Sequence, residues 1–150
     1  MLCGSMRNYA LMADLVGILS RAGIEAIAPE PDVDTPSTLR EANAAKRAAS
    51  MRHFGLIRER ATSAILVLNV TKNDEESYVG PNAFAEIAVA VADELPVYLL
   101  FGFPERYREE LEAWGAVPLN GDISRFLEDQ VGSTLYADQV QDDLARAVVS

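Results

Sequence analysis

Residues 64–68 read Ala-Ile-Leu-Val-Leu, an unbroken apolar run with no polar position for either side of a pleat. A strand of this kind must be covered on both faces, the situation of a central strand in a parallel sheet. The rest of the chain repeats the theme. Short β-rich apolar runs alternate with helical stretches, a pattern that builds a parallel sheet sandwiched between helices.

Along the chain, a first strand over residues 1–3 leads through Gly4-Ser5 into a helix over about 8–22, where Met12, Leu15, Val16 and Leu19 recur at helical spacing. Gly23 ends that helix. Residues 24–28 are expected to form a second strand, and a Pro-rich connection over 29–36 leads to a helix over about 38–60. The central strand over 64–68 ends at Asn69 and is followed by a polar loop, 71–78. Gly80-Pro81-Asn82 then opens a helix reaching about Glu94, with Pro81 suited to the first helical position. A fourth strand is expected over 96–101, a short helix over 105–114, a weak fifth strand over 117–119, and helices over 123–129 and 137–148. The expected architecture is α/β: a flavodoxin-like, doubly wound, five-stranded parallel sheet with helices on both faces, residues 1–150 forming one domain. Ligands of such a sheet bind outside the carboxyl ends of the strands.

Composition narrows the function. The 150 residues carry 23 acidic and 13 basic side chains, a net charge of -10, which repels a nucleic-acid polymer because affinity for one comes largely from phosphate neutralisation. A small anionic ligand is compatible with that charge, since a few backbone amides and one arginine outweigh the global field locally. One cysteine and one histidine do not make a standard zinc site, and no metal or cofactor is expected. No apolar stretch is long enough to cross a bilayer, and no signal peptide precedes the first strand. The expectation is a cytoplasmic protein without a membrane partner. Walker-type, Gly-x-Gly-x-x-Gly, His-Glu-x-x-His and Gly-x-Ser-x-Gly motifs are all missing.

Two segments at expected strand ends carry candidate chemistry. In Cys3-Gly4-Ser5-Met6-Arg7 a small-residue turn stands between strand and helix, where unpaired amides seat a phosphate or a sugar hydroxyl. Gly4 gives close approach, Ser5 a hydroxyl and Arg7 a charge. The plainer alternative is that Ser5 caps the helix and Arg7 is solvated. In Tyr78-Val79-Gly80-Pro81-Asn82-Ala83-Phe84-Ala85-Glu86 a turn delivers one carboxylate into a very apolar helix. Its neighbours at helical spacing, Asn82, Ala83, Val89 and Ala90, offer no charge partner. Glu86 must therefore face water, a polar cavity or a distant arginine, the plainer alternative being a solvent stripe with Asn82 and Asp93. A carboxylate at this position suits attack on an electrophilic sugar carbon, or base catalysis. Asn69, Tyr78, Gly80 and Asn82 complete the candidate binding set. His53, beside Arg52, reads as a surface or capping residue and is assigned no role.

Together these residues resemble the nucleoside 2-deoxyribosyltransferase superfamily, including its deoxynucleoside 5'-monophosphate N-glycosidase branch. The likeness spans roughly residues 2–101, and the order and spacing of the Cys3–Arg7, Ala64–Asn69 and Gly80–Glu86 segments carry it. The resemblance implies that Glu86 is the nucleophile that displaces the base and forms a glycosyl-enzyme intermediate. It implies that Ser5 and Arg7 hold a 5'-phosphate or 5'-hydroxyl of a nucleotide or nucleoside, and that the protein is a homodimer or larger homo-oligomer whose neighbouring subunit completes the pocket. One departure stands out: the family's helix aspartate, thought to assist the departing base, falls here near Leu56. That departure keeps open a non-catalytic nucleotide-binding or sensing module of the same fold. A phosphoribohydrolase of the lysine-decarboxylase-like group also begins with Cys-Gly-Ser at a strand end, but its Gly-Gly-x-Gly-Thr-x-x-Glu segment fits residues 80–86 poorly.

Overall fold

The computed structural model describes residues 1–30 and 36–149. Four parallel strands, β1 (Leu2–Gly4), β2 (Ile65–Leu68), β3 (Val97–Leu99) and β4 (Val117–Pro118), lie side by side in sequence order. Leu66 pairs with Leu2 on one side and Tyr98 on the other. All four residues of β2 are buried, as a strand without a polar face requires.

Alternate residues of each strand serve opposite faces. On one face Leu2, Leu66, Leu68 and Tyr98 pack with Met12, Leu15 and Leu19 of α1 (Tyr9–Arg21), with Phe126 and Leu127 of α5 (Ser124–Val131), and with Val140 and Leu144 of α6 (Ala137–Val149). On the other, Cys3, Ile65, Val67, Val97 and Leu99 meet Ala83, Ile87 and Ala90 of α3 (Pro81–Ala92), Ile57 of α2 (Leu39–Ile57), and Leu111 of α4 (Arg108–Ala113). Helices thus cover both faces. Among the described residues no helix is long and apolar enough to cross a membrane.

Among the described residues the sheet has four strands and not the expected five. Residues 24–28 form no strand, although the Leu2 amide donates to Ile27 O at 2.8 Å, so the segment runs beside β1. The ladder goes no further for a physical reason: β1 is three residues long, and Pro29, directly after the segment, has no amide to donate. Residues 31–35 of the Pro-rich connection lie outside the described residues. The second half of the chain follows its pattern with shifted ends. β4 is two residues long, and α5 begins at Ser124 where Ser124 N–H donates to Asp122 Oδ1 at 2.9 Å.

Two local devices position the candidate site. Thr38 and Glu41 form a reciprocal capping box at the start of α2, which fixes where that helix begins over the sheet. Asn69, wholly buried just past β2, donates from Nδ2 to Gly102 O at 2.7 Å and accepts at Oδ1 from the Phe101 amide at 2.9 Å. Its side chain clamps the carboxyl ends of two neighbouring strands.

The sheet is also tied to α5 by the Tyr98 hydroxyl, which donates to Asp129 at 2.8 Å. Burial, followed by that bond, pushes the phenol up to about 12. A folded-state value above the unfolded one contributes stability below the unfolded value, and that stability disappears as pH rises through the folded one. Denaturant titrations should therefore show stability falling between about pH 10 and about 12, and Tyr98→Phe should remove this component of the fall.

Candidate functional site

The three residues of β1 end in Gly4, where the backbone comes very close to its neighbours. A Cβ at that position would stand 3.0 Å from Met12 Cε and 3.2 Å from Leu68 O, so any side chain there would force its neighbours to give by a few tenths of an ångström. Ser5 follows as the residue before a 3-10 turn over Met6–Asn8; its hydroxyl makes no capping hydrogen bond, while its carbonyl accepts from the Asn8 amide at 2.8 Å. The capping alternative for Ser5 therefore does not account for its side chain.

Across from this turn, Gly80 precedes α3 and Pro81 occupies its first turn. Gly80 lies under Tyr78, whose ring and hydroxyl would be 3.3 Å from any Cβ there. The loop before it is ordered by a two-residue turn: Lys72 and Glu75 exchange backbone hydrogen bonds at 3.0 Å while Asn73 and Asp74 take positive φ, a turn that asparagine and aspartate tolerate. This turn sets Lys72 Nζ 4.3 Å from the centre of the Tyr78 ring, a cation–π contact.

Glu86 is 5% exposed, so the solvent-stripe alternative does not describe it. Its partner comes from α2: His53 Nδ1 is 2.7 Å from Glu86 Oε1, with the two side chains 14% and 6% exposed. Facing an ionised carboxylate, which only accepts, Nδ1 would be the nitrogen that carries the hydrogen of this bond. Below it, on the face of β1 shared with α3, lies the fully buried Cys3. Burial first, then the charge of the nearby Glu86 carboxylate, push Cys3 well above the ordinary thiol range. Cys3 is thus held as a neutral thiol at the foot of the carboxylate.

Glu86 and His53 line a cavity of about 470 Å³ whose wall also includes Gly4, Ser5, Lys46, Lys72, Tyr78, Gly80 and Asn82. The two sequence segments are therefore brought to one space. Arg7 lines a smaller adjoining hollow of about 200 Å³ with Ser5, Asn8 and Lys72; Ser5 and Lys72 border both spaces. Asn69 lines neither. Both ends of its amide are engaged in the strand clamp, and its work is structural support of the strand ends. Tyr9 is an exposed residue outside the cavity.

Two residues absent from the sequence expectation belong to this site. His53 is half-buried against Glu86 and not a surface residue, and Lys72 links the two hollows. His53 stands 33 positions from Glu86 in the chain, beyond the reach of any helical spacing rule. For Lys72 the local signal was the turn-forming Asn73-Asp74 pair directly after it. Among the described residues no group of three His, Cys, Asp or Glu is placed to hold a metal ion. In comparisons with known proteins, no family model, no curated protein and no solved structure matches this chain.

Cys3 supplies a direct check on the closed foot of the cavity. A buried, raised thiol reacts slowly because the thiolate is the nucleophile. A disulfide reagent at pH 8 should leave native Cys3 unmodified over hours and titrate one thiol promptly after unfolding in guanidinium; prompt reaction of the native protein would mean that the Glu86 region is open from below.

Proposed function

We propose that this protein cleaves or transfers the N-glycosidic bond of a nucleotide or nucleoside, with Glu86 as the nucleophile. The observation that carries the reading is the placement of one buried carboxylate, on a helix otherwise free of ionisable groups through Ala92, in the wall of a cavity shared with the Gly4-Ser5 turn. A carboxylate kept from bulk water is a stronger nucleophile toward the anomeric carbon than a hydrated one, and the cavity is large enough for a sugar and a base.

Recognition follows from the second hollow. A sugar lying over Glu86 with its 5' end toward Ser5 directs a 5'-phosphate to the space bordered by Arg7 and Lys72. One guanidinium and one ammonium around a hydroxyl that caps no helix form a phosphate seat even in a chain of net charge -10. This favours a nucleoside 5'-monophosphate over a free nucleoside. Tyr78, already under a cation, is placed in the cavity wall as a surface for the sugar or base. The resemblance to the 2-deoxyribosyltransferase superfamily supports the same assignment, as does the sheet: with residues 24–28 counted beside β1, where the Leu2–Ile27 bond holds them, the order becomes flavodoxin-like. Both hollows then lie beyond the carboxyl ends of the strands, where ligands of such sheets bind.

The assembly belongs to the same reading. α2 forms one wall of the cavity, yet Ile57 is the one fully buried residue in its 19, and Leu39 and Met51 are 79% and 55% exposed. An exposed alanine-rich helix at the rim of the site is the surface on which a second copy would complete the pocket. Sedimentation should give a dimer or larger species, and Leu39→Glu with Met51→Glu should shift it to monomer.

The function is tested by chromatography of free base released from ribo- and deoxyribonucleosides and their 5'-monophosphates, with and without a second base as acceptor. Release from monophosphates in preference to nucleosides is the expected result, with Glu86→Gln lowering it by about a thousandfold or more at unchanged circular dichroism. Base exchange would place the protein among the transferases. Ligand-induced thermal stabilisation with no product would instead identify the binding module. Full activity in Glu86→Gln would overturn the nucleophile.

A further inference from the structure

We infer that His53 is the proton donor to the departing base, coupled through its Nδ1 hydrogen bond to the carboxylate that attacks the sugar. The inference rests on the N-glycosidase reading and deepens it.

Breaking a glycosidic C–N bond leaves an electron pair on a ring nitrogen, and an unmodified base departs readily only if a proton reaches it. The other ionisable groups of the cavity wall are Glu30, Lys46, Lys72 and Tyr78, with Cys3 below Glu86. The buried thiol is held neutral by its own surroundings. Lys72 is seated over the Tyr78 ring and borders the Arg7 hollow. Glu30 and Lys46 are exposed, and among the described contacts of Glu86 the ring of His53 is the side chain at hydrogen-bond distance. Imidazole is the side chain among these that exchanges a proton near neutral pH, and His53 alone is hydrogen-bonded by its ring to the nucleophile at 2.7 Å.

The geometry couples the two steps. The donor form is the imidazolium, whose Nδ1 hydrogen faces the Glu86 carboxylate at 2.7 Å and whose Nε2 hydrogen is the one left to give. As Glu86 forms its bond to the anomeric carbon, the C–N pair moves to the base and the carboxylate charge is lost to the new ester. The imidazolium then no longer faces a negative charge, at the moment the leaving nitrogen gains basicity, and the Nε2 proton passes to the base. In the second half, water attacks the anomeric carbon, its proton goes to Nε2, and the C–O electron pair returns to Glu86. The sum is sugar–base plus water giving free sugar and free base, with both side chains restored. With a second base as acceptor, the proton comes from its N–H in place of water.

A purely structural partner for Glu86 would behave differently, and the leaving group tells them apart. A purine nucleotide and its 7-methyl derivative are compared in the sugar series that the wild type cleaves; the methylated base is already cationic and departs neutral, without needing a proton. His53→Gln should slow release of the unmodified base by about a hundredfold or more, leave the methylated substrate within a few-fold of wild type, and remove the alkaline limb of the kcat/KM profile for the unmodified one. His53→Asn serves as the second variant if His53→Gln does not fold, as judged by its thermal transition. Equal slowing of both substrates would reduce His53 to holding Glu86 in place, and no slowing of either would remove it from the reaction; each overturns this inference while leaving the glycosidase reading intact. Release of neither base by the wild type would overturn both.

Discussion

Burying a carboxyl group is the most demanding condition in this molecule, and much of the site is arranged to meet it. Glu86 sits in a helix that supplies no charge of its own, at 5% exposure, where an unpaired charge costs many times the worth of a surface ion pair. The condition is met from another element: the imidazole of His53 on α2 lies 2.7 Å from the carboxylate. That ring does not bring the fixed positive charge of an arginine or lysine. The carboxylate is held in place but not neutralised by a permanent cation, which is compatible with a group that must itself react.

His53 and Cys3 come near Glu86 only because the sheet holds their elements in register. β2, apolar on both faces, divides the chain into two layers, and the alternation along β1 sends Leu2 to one and Cys3 to the other. Cys3 therefore faces α3 by the period of the strand. Asn69 completes the arrangement by joining the end of β2 to residues 101–102. It was expected to touch ligand; buried at the end of a central strand, it satisfies backbone groups that have passed beyond the sheet ladder.

The architecture was largely legible in the chain because period and punctuation are local properties. The apolar run at 64–68, the Pro81 helix start and the Gly4-Ser5 turn are each read from a few neighbouring residues, and the structure has them where the pattern puts them. The segment 24–28 shows the limit. Its composition suits a strand, but a ladder needs a partner of sufficient length and a continuing series of donors, and β1 with Pro29 offers neither. The glutamate was recognisable by the same local logic: an acidic residue in an apolar helix with no partner at helical spacing must find its partner elsewhere.

The sequence by itself determined the class of fold, the two turns that flank the site and the singular position of Glu86, since these follow from side-chain polarity at fixed spacing along one segment. Tertiary structure decided which group meets that carboxylate. His53 looks like a surface residue in its own helix, and only the packing of α2 against α3 turns its ring onto a residue 33 positions away. It also separated Arg7 from the Glu86 cavity and joined the two through Ser5 and Lys72. A helix specifies its own faces, but which side chain of a neighbouring element lies opposite each face depends on the whole sheet beneath them.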